Sequence, residues 1–160
     1  AETKKRTFKT YLWKVPEYRE YNETTHVEVF NVGNHALMPF VQLKNVFQSE
    51  TRSVSFLERY ADSIVWWYKN GDEGERHYAV PYTRQNGSIG LVCVDFAIRM
   101  KNGQIFLLDT KKGERDVEIV NKRNGLIDCM TQADNASMHP KGGIIVEDNG
   151  LWKYLCPARE

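Results

Sequence analysis

The sequence predicts a mixed α/β fold of the α+β kind, in which a helix precedes a three-stranded meander and a second helix precedes two closing strands. Three patterns carry this prediction. Apolar residues fall at helical spacing over 51–69, strand alternation broken by tight-turn residues fills 77–111, and helical spacing returns over 116–133.

Taken in order, residues 6–15 alternate weakly around Phe8, Tyr11, Leu12, Trp13 and Val15 and read as a strand ending before Pro16. His26–Val32 alternates clearly and reads as a second strand, with a Tyr/Glu/Asn-rich loop between the two. These strands define a β-rich N-terminal extension, residues 1–45, ahead of a core over 46–160. Over 51–69, Val54, Leu57, Ala61, Ile64, Val65 and Tyr68 share one helical face, and Asn70–Gly71 supplies the stop. His77–Thr83 is a strand, Asn86–Gly87 a turn, and Ile89–Met100 a long strand. Lys101–Asn102–Gly103 is a hairpin loop and Gln104–Lys111 the returning strand. The second helix places Val117, Val120, Leu126, Ile127 and Met130 on its apolar face, with Gly125 as its weak point. Gly142–Glu147 and Leu151–Leu155 close the chain around the turn Asp148–Asn149–Gly150.

Composition narrows the function classes. With 41% hydrophobic and 27% charged residues, the chain of 160 residues has enough apolar content for one folded core. The longest apolar run, Ile64–Tyr68, is far short of the ~20 residues a membrane span needs. No secretory leader is visible, and three widely spaced cysteines (Cys93, Cys129 and Cys156) suit a reducing, cytoplasmic compartment better than a disulfide framework or a zinc site. The Asn-x-Ser/Thr triplets at Asn22, Asn86 and Asn135 are then chance. The first residue, Ala1 rather than Met, suggests a piece of a longer polypeptide, although simple Met removal would look the same. Lys and Arg number 22 against 21 acids, so no global attraction to nucleic acid exists. Modest basic biases over 1–14 and 99–123 read better as solvated faces than as nucleic-acid contacts. No GxxxxGK[ST], GxSxG or HExxH motif is present.

The hairpin from Ile89 to Lys111 carries the chemistry. A two-residue Asn102–Gly103 loop would mix apolar and charged side chains on both faces. A three-residue loop, with Gly103 in the left-handed bulge, pairs Phe96 with Leu108 and places Val92, Val94, Phe96, Ile98, Phe106 and Leu108 on one face. The other face then holds Asp95 directly opposite Asp109, with Lys111 two residues on, among Cys93, Ala97, Ile105 and Leu107. Two carboxylates so placed repel and need a cation. A divalent metal such as Mg²⁺ or Mn²⁺ is one completion, and a surface ion pair of Lys111 with Asp109 or Asp95 is the other.

Asp95, followed one hairpin later by Asp109–Thr110–Lys111 behind a helix, resembles the PD-(D/E)xK nuclease core. The segments Val94–Gly103 and Leu107–Lys111 are similar to the C-terminal endonuclease region of type III restriction enzyme Res subunits and related helicase-linked nucleases. The resemblance covers roughly residues 50–147, with its specific motifs between 89 and 113. It implies a restriction-endonuclease-like α-β-β-β-α-β core with a mixed central sheet that hydrolyses DNA phosphodiester bonds with Mg²⁺, Mn²⁺ being a substitute. It further implies that Asp95 and Asp109 hold the metal, that the Thr110 carbonyl is a further ligand, and that Lys111 positions the attacking water. Implied partners are DNA, a helicase or translocase region and a modification subunit absent from this chain, and a second copy for double-strand cutting. A catalytically silent, nuclease-like binding or docking module is the alternative.

Val94 stands where the motif's Pro would be. The family's first helix usually supplies a further Glu, for which this sequence offers Glu58 or Glu50. Glu58 is favoured as the catalytic helper, although Ser55-Phe56-Leu57-Glu58 also matches a capping box. Lys122 and Arg123 on the second helix suit phosphate contact and equally a solvated helix face. Trp66, Trp67, Tyr68 and Tyr78 suit core packing better than base stacking.

Overall fold

The computed structural model describes residues 28–33, 35–38, 40–43, 48–71, 78–112, 117–135, 141–148 and 151–155. The strand expected at 6–15 lies outside them. Chain order gives β1 (Glu28–Asn31), β2 (Phe40–Leu43), α1 (Gln48–Arg59), β3 (Ile64–Lys69), β4 (Ala79–Thr83) and β5 (Ile89–Cys93). There follow β6 (Phe96–Met100), β7 (Ile105–Lys112), α2 (Ile119–Asn135), β8 (Lys141–Asp148) and β9 (Leu151–Leu155). The mixed α/β class holds. Five strands form a sheet in the order β3-β6-β7-β8-β9, antiparallel throughout except for the parallel β7–β8 pair that α2 connects. The pairs β1–β2 and β4–β5 are separate two-stranded sheets.

One element differs from the sequence reading. The helix expected over 51–69 ends at Arg59, and after a short 3₁₀ turn at Ala61–Ser63 the chain continues as strand β3. Val54 and Leu57 do form the buried helical face. Ile64, Val65 and Tyr68 extend that spacing only by coincidence. Ile64-Val65-Trp66-Trp67-Tyr68 is β-branched or aromatic throughout, and pairing with β6 along the sheet edge decides its state. Trp67 then enters the core against Phe96, their ring centroids 6.3 Å apart, while Val65, at the irregularity in the β3–β6 register between Ile64 and Trp66, is exposed. Ser55 lies inside α1 and donates to the Thr51 carbonyl at 3.1 Å, so it caps no helix start with Glu58.

The long strand expected over Ile89–Met100 is two strands, broken at Val94–Asp95. Beyond the break, β6 and β7 adopt the predicted register: Phe96 faces Leu108, Ala97 faces Leu107 and Ile98 faces Phe106. Gly103 takes φ +84° in the three-residue loop, where it donates to the Met100 carbonyl at 2.9 Å. Before the break, β5 leaves the central sheet to pair with β4 over α2. Val92 and Val94 therefore pack with Leu107, not with Phe96.

The sheet separates two apolar cores. One face packs Phe96, Ile98 and Trp67 against Val54 and Leu57 of α1 and against Val32 and Val41 from the β1–β2 region. The other packs Val92, Val94, Leu107, Ile144 and Val146 against Leu126 and Met130 of α2 and Val80 and Tyr82 of β4. Val117 and Val120, expected on the buried face of the second helix, are exposed at its start. No helix among the described residues is long and apolar enough to cross a membrane.

Gly125 is a close-approach position. A Cβ there would stand 2.6 Å from the Tyr82 Cβ and 2.8 Å from the Pro81 carbonyl oxygen. Gly125→Ala should therefore lower stability by ~1–3 kcal/mol despite alanine's better helix propensity. Urea unfolding checks this, since a stabilised variant would show that α2 does not rest on β4 at this point.

Candidate active site at the open end of the central hairpin

The break before β6 puts Asp95 where three strands meet. Its carbonyl accepts the Asn70 N–H at 2.8 Å, prolonging the β3–β6 ladder by one bond. Its carboxylate Oδ2 accepts both the N–H and the hydroxyl of Thr110, each at 2.6 Å. A side chain thus takes the backbone donor just past the β6–β7 ladder, and this is the physical reason that Asp95 bends out of the pairing instead of facing Asp109 across it. On β7, Asp109 and Lys111 alternate onto one side. The Lys111 ammonium stands 2.9 Å from Asp109 Oδ2 and donates to Oδ1 at 3.1 Å.

Helix α1 begins at Gln48, so its first turn brings Ser49 and Glu50 to the same place. With Leu91, Val92 and Cys93 of β5, Asp95, Asp109, Thr110, Lys111 and Lys122 of α2, they line a cleft of about 490 Å³. Lys69, at the end of β3, lies beneath it. Its ammonium is 3.7 Å from both Glu50 Oε2 and Asp95 Oδ1 and donates to the Asn70 carbonyl at 3.1 Å.

Asp109 is the most strained charge here. Its side chain is only 2% exposed, and burial, followed by the charge of Asp95, pushes its carboxyl up to about 7, against the opposing pull of Lys111. Both of its oxygens meet the Lys111 ammonium, Oδ2 at 2.9 Å and Oδ1 at 3.1 Å. A buried carboxylate beside a second carboxylate in an open cleft is the kind of oxygen donor pair that a hard divalent cation takes. Among the described residues, however, no three His, Cys, Asp or Glu side chains gather as a metal-holding group, so Asp95 and Asp109 alone are the candidate ligands.

The structure brings together Asp95, Asp109, Thr110 and Lys111 as sequence spacing suggests. Thr110 enters as a donor to Asp95 through its N–H and hydroxyl, whereas the sequence points to its carbonyl. Glu58 is not among the residues lining the cleft; it sits eight residues beyond Glu50, about 12 Å along the helix axis. Glu50, the other possibility, does line it. Of the two basic residues on α2, Lys122 reaches the cleft, and Arg123 is not among its lining residues. Sequence reasoning missed Lys69, whose only signal was a lysine closing an otherwise apolar strand. Tyr78 is occupied structurally: its hydroxyl bonds Cys129 Sγ at 3.0 Å, and burial holds it neutral.

Comparison with protein-family models, with curated proteins and with solved structures returns no match.

The raised Asp109 carboxyl has a definite sign in stability. Between the ordinary carboxylate range near 4 and about 7, the folded state binds the extra proton, so stability falls as pH rises through that window. Asp109→Asn carries no such cost. In metal-free buffer its stability relative to wild type should improve by roughly 1.4 kcal/mol per pH unit from pH 5 to pH 7 and level off above. Thermal melts across this range check it, and a pH-independent difference would contradict the assigned burial.

Proposed function

We propose that this chain is a divalent-metal-dependent endonuclease domain that hydrolyses DNA phosphodiester bonds, of the PD-(D/E)xK kind. The observation that carries the reading is the pair of buried carboxylates, Asp95 and Asp109, delivered with Lys111 to one open cleft from adjoining strands. The order of elements supports it as well. Helix α1, then β3, β6 and β7, then α2 and β8, gives an α-β-β-β-α-β succession with the parallel β7–β8 crossover behind it, and β4–β5 inserted after the first strand.

Asp95 and Asp109 would hold the cation, which when bound supplies an activated water and a polarised phosphate. Thr110 keeps one oxygen of Asp95 fixed, so a ligand would meet the other, Oδ1, and share it with the Lys69 ammonium at 3.7 Å. Lys111, tethered to Asp109 and partly exposed, places a positive charge where negative charge develops on the scissile phosphate and orients the water attacking it. Lys122, on the far wall, suits a neighbouring phosphate, a contact that positions the strand without reading its sequence. Target choice and ATP-driven movement then belong to a helicase or translocase region and a modification subunit, as in the type III restriction enzymes this segment resembles. Double-strand cutting would engage a second copy. One observation favours a catalytically silent binding module instead: among the described residues, no three His, Cys, Asp or Glu side chains gather to hold a metal.

Plasmid nicking with Mg²⁺ and with Mn²⁺ separates the two. Asp109→Ala and Lys111→Ala should each lower the nicking rate roughly a hundredfold or more while circular dichroism stays that of the wild type. Nicking that is equal in all three proteins would remove the reading. Absence of nicking in the wild type would favour the silent module.

A further inference from the structure

A second concave site adjoins the cleft, a groove of about 160 Å³ between β4 and α2. Pro81 and Ile89 line it on the strand side, and Asn121, Asn124, Asp128 and Gln132 on the helix side. Spaced by three, four and four residues, these four form one polar stripe along a single face of α2. Asn121 donates one amide hydrogen to Glu118 Oε2 at 3.0 Å, which holds its side chain in place. Asn124 accepts from Arg123 only at 3.5 Å, the outer limit of a hydrogen bond. Among the described residues, Asp128 and Gln132 bond no protein group.

Three properties of the groove identify its occupant. Its volume is below that of a pocket for a drug-sized ligand and suits one flat heterocycle. Its rim sets amides, which offer a donor and an acceptor side by side, next to a carboxylate, which only accepts. That set matches an amino group beside a ring nitrogen, the edge of adenine or cytosine, and leaves thymine, which has no amino group, poorly matched. The groove is also continuous with the cleft. Ile89 and Leu91 stand exposed on the same face of β5, about 7 Å apart, the first lining the groove and the second the cleft. On α2, Asn121 of the groove precedes Lys122 of the cleft.

We propose that this groove is a nucleobase pocket, which takes one adenine or cytosine from the DNA strand lying in the cleft. The inference rests on the reading of the cleft as a DNA site, and adds to it a base preference close to the point of cutting. Asn124 and Asp128 take the amino group and the ring nitrogen, while Pro81 and Ile89 give the base apolar contact.

The test is fluorescence anisotropy of the full chain with labelled single-stranded oligonucleotides in metal-free buffer. Plain dT strands are compared with the same strands carrying one dA, one dC or one dI, the last having adenine's ring with a carbonyl in place of the amino group. Wild type should bind the dA and dC strands about tenfold more tightly than plain dT, and the dI strand like dT. Asn124→Ala and Asp128→Ala lie at exposed positions where truncation leaves the fold intact. Each should bring the dA strand to within about threefold of dT without changing the dT affinity itself. Equal affinity for all strands, or a dA preference that survives both substitutions, would overturn the inference and leave the nuclease reading to the nicking assay. A dA preference in protein that nicks no plasmid would support it and remove only the catalytic step. Failure to bind any strand, in protein that does nick plasmid, would overturn it alone, and failure of both would remove both.

Discussion

The architecture depends on one junction, the set of bonds around Asp95. Backbone and side chain are used separately there: the carbonyl accepts from β3 and the carboxylate accepts twice from β7. Charge-assisted acceptance from a backbone N–H is stronger than the neutral ladder bond it replaces. The exchange therefore ends the β6–β7 pairing without leaving the Thr110 N–H unsatisfied in a buried place. Its consequence is topological. Freed from the sheet, the chain upstream of Asp95 swings across to the α2 side, which carries Val94 into the second core and makes β5 a wall of the cleft. A straight strand through residue 95 would have covered this end of β7.

The same junction concentrates charge. Asp95, Asp109 and Glu50 meet Lys69 and Lys111, with Lys122 on the opposite wall, in a region where dielectric screening is poor. Burial, and after it the charge of Asp95, gives Asp109, the least exposed of the acids, an affinity for a proton above that of an ordinary carboxylate. On the metal-dependent reading proposed above, a divalent cation competes with that proton, and Lys69 and Lys111 set how much negative charge is left for either.

How much of this was legible in the sequence follows from the range of the interactions. The β6–β7 register could be derived because its determinants are local: a Lys-Asn-Gly turn and apolar side chains that segregate in only one pairing. With it came Asp95, Asp109 and Lys111. The state of Ile64–Lys69 was not legible, because a few residues that continue helical spacing while being β-branched or aromatic are decided by a partner strand some 30 residues away. That single exchange of helix for strand hid Lys69. It also bore on the helix acid, since reading the helix from residue 51 left Glu50 outside it and favoured Glu58, whereas a helix that starts at Gln48 turns Glu50 into the cleft.

Contacts remote from the carboxylates set the opposite wall. Because Gly125 lets α2 rest directly on Pro81 and Tyr82, the helix axis approaches β4 more closely than any side chain would permit. At the turn between β4 and β5, the Gln85 side chain donates to the Val117 carbonyl at 3.0 Å and its N–H to Glu118 at 3.3 Å, fastening the start of the same helix. Lys122 lies between these two anchors, three residues from the first and four from the second, within about one helical turn of each. The inserted β4–β5 hairpin thus does two things at once. Through Leu91, Val92 and Cys93 it forms part of the cleft, and through α2 it fixes the distance at which a basic side chain faces the carboxylates. A near-neutral chain can in this way present a localised positive charge beside an acidic site, without the basic surface that net charge would have revealed.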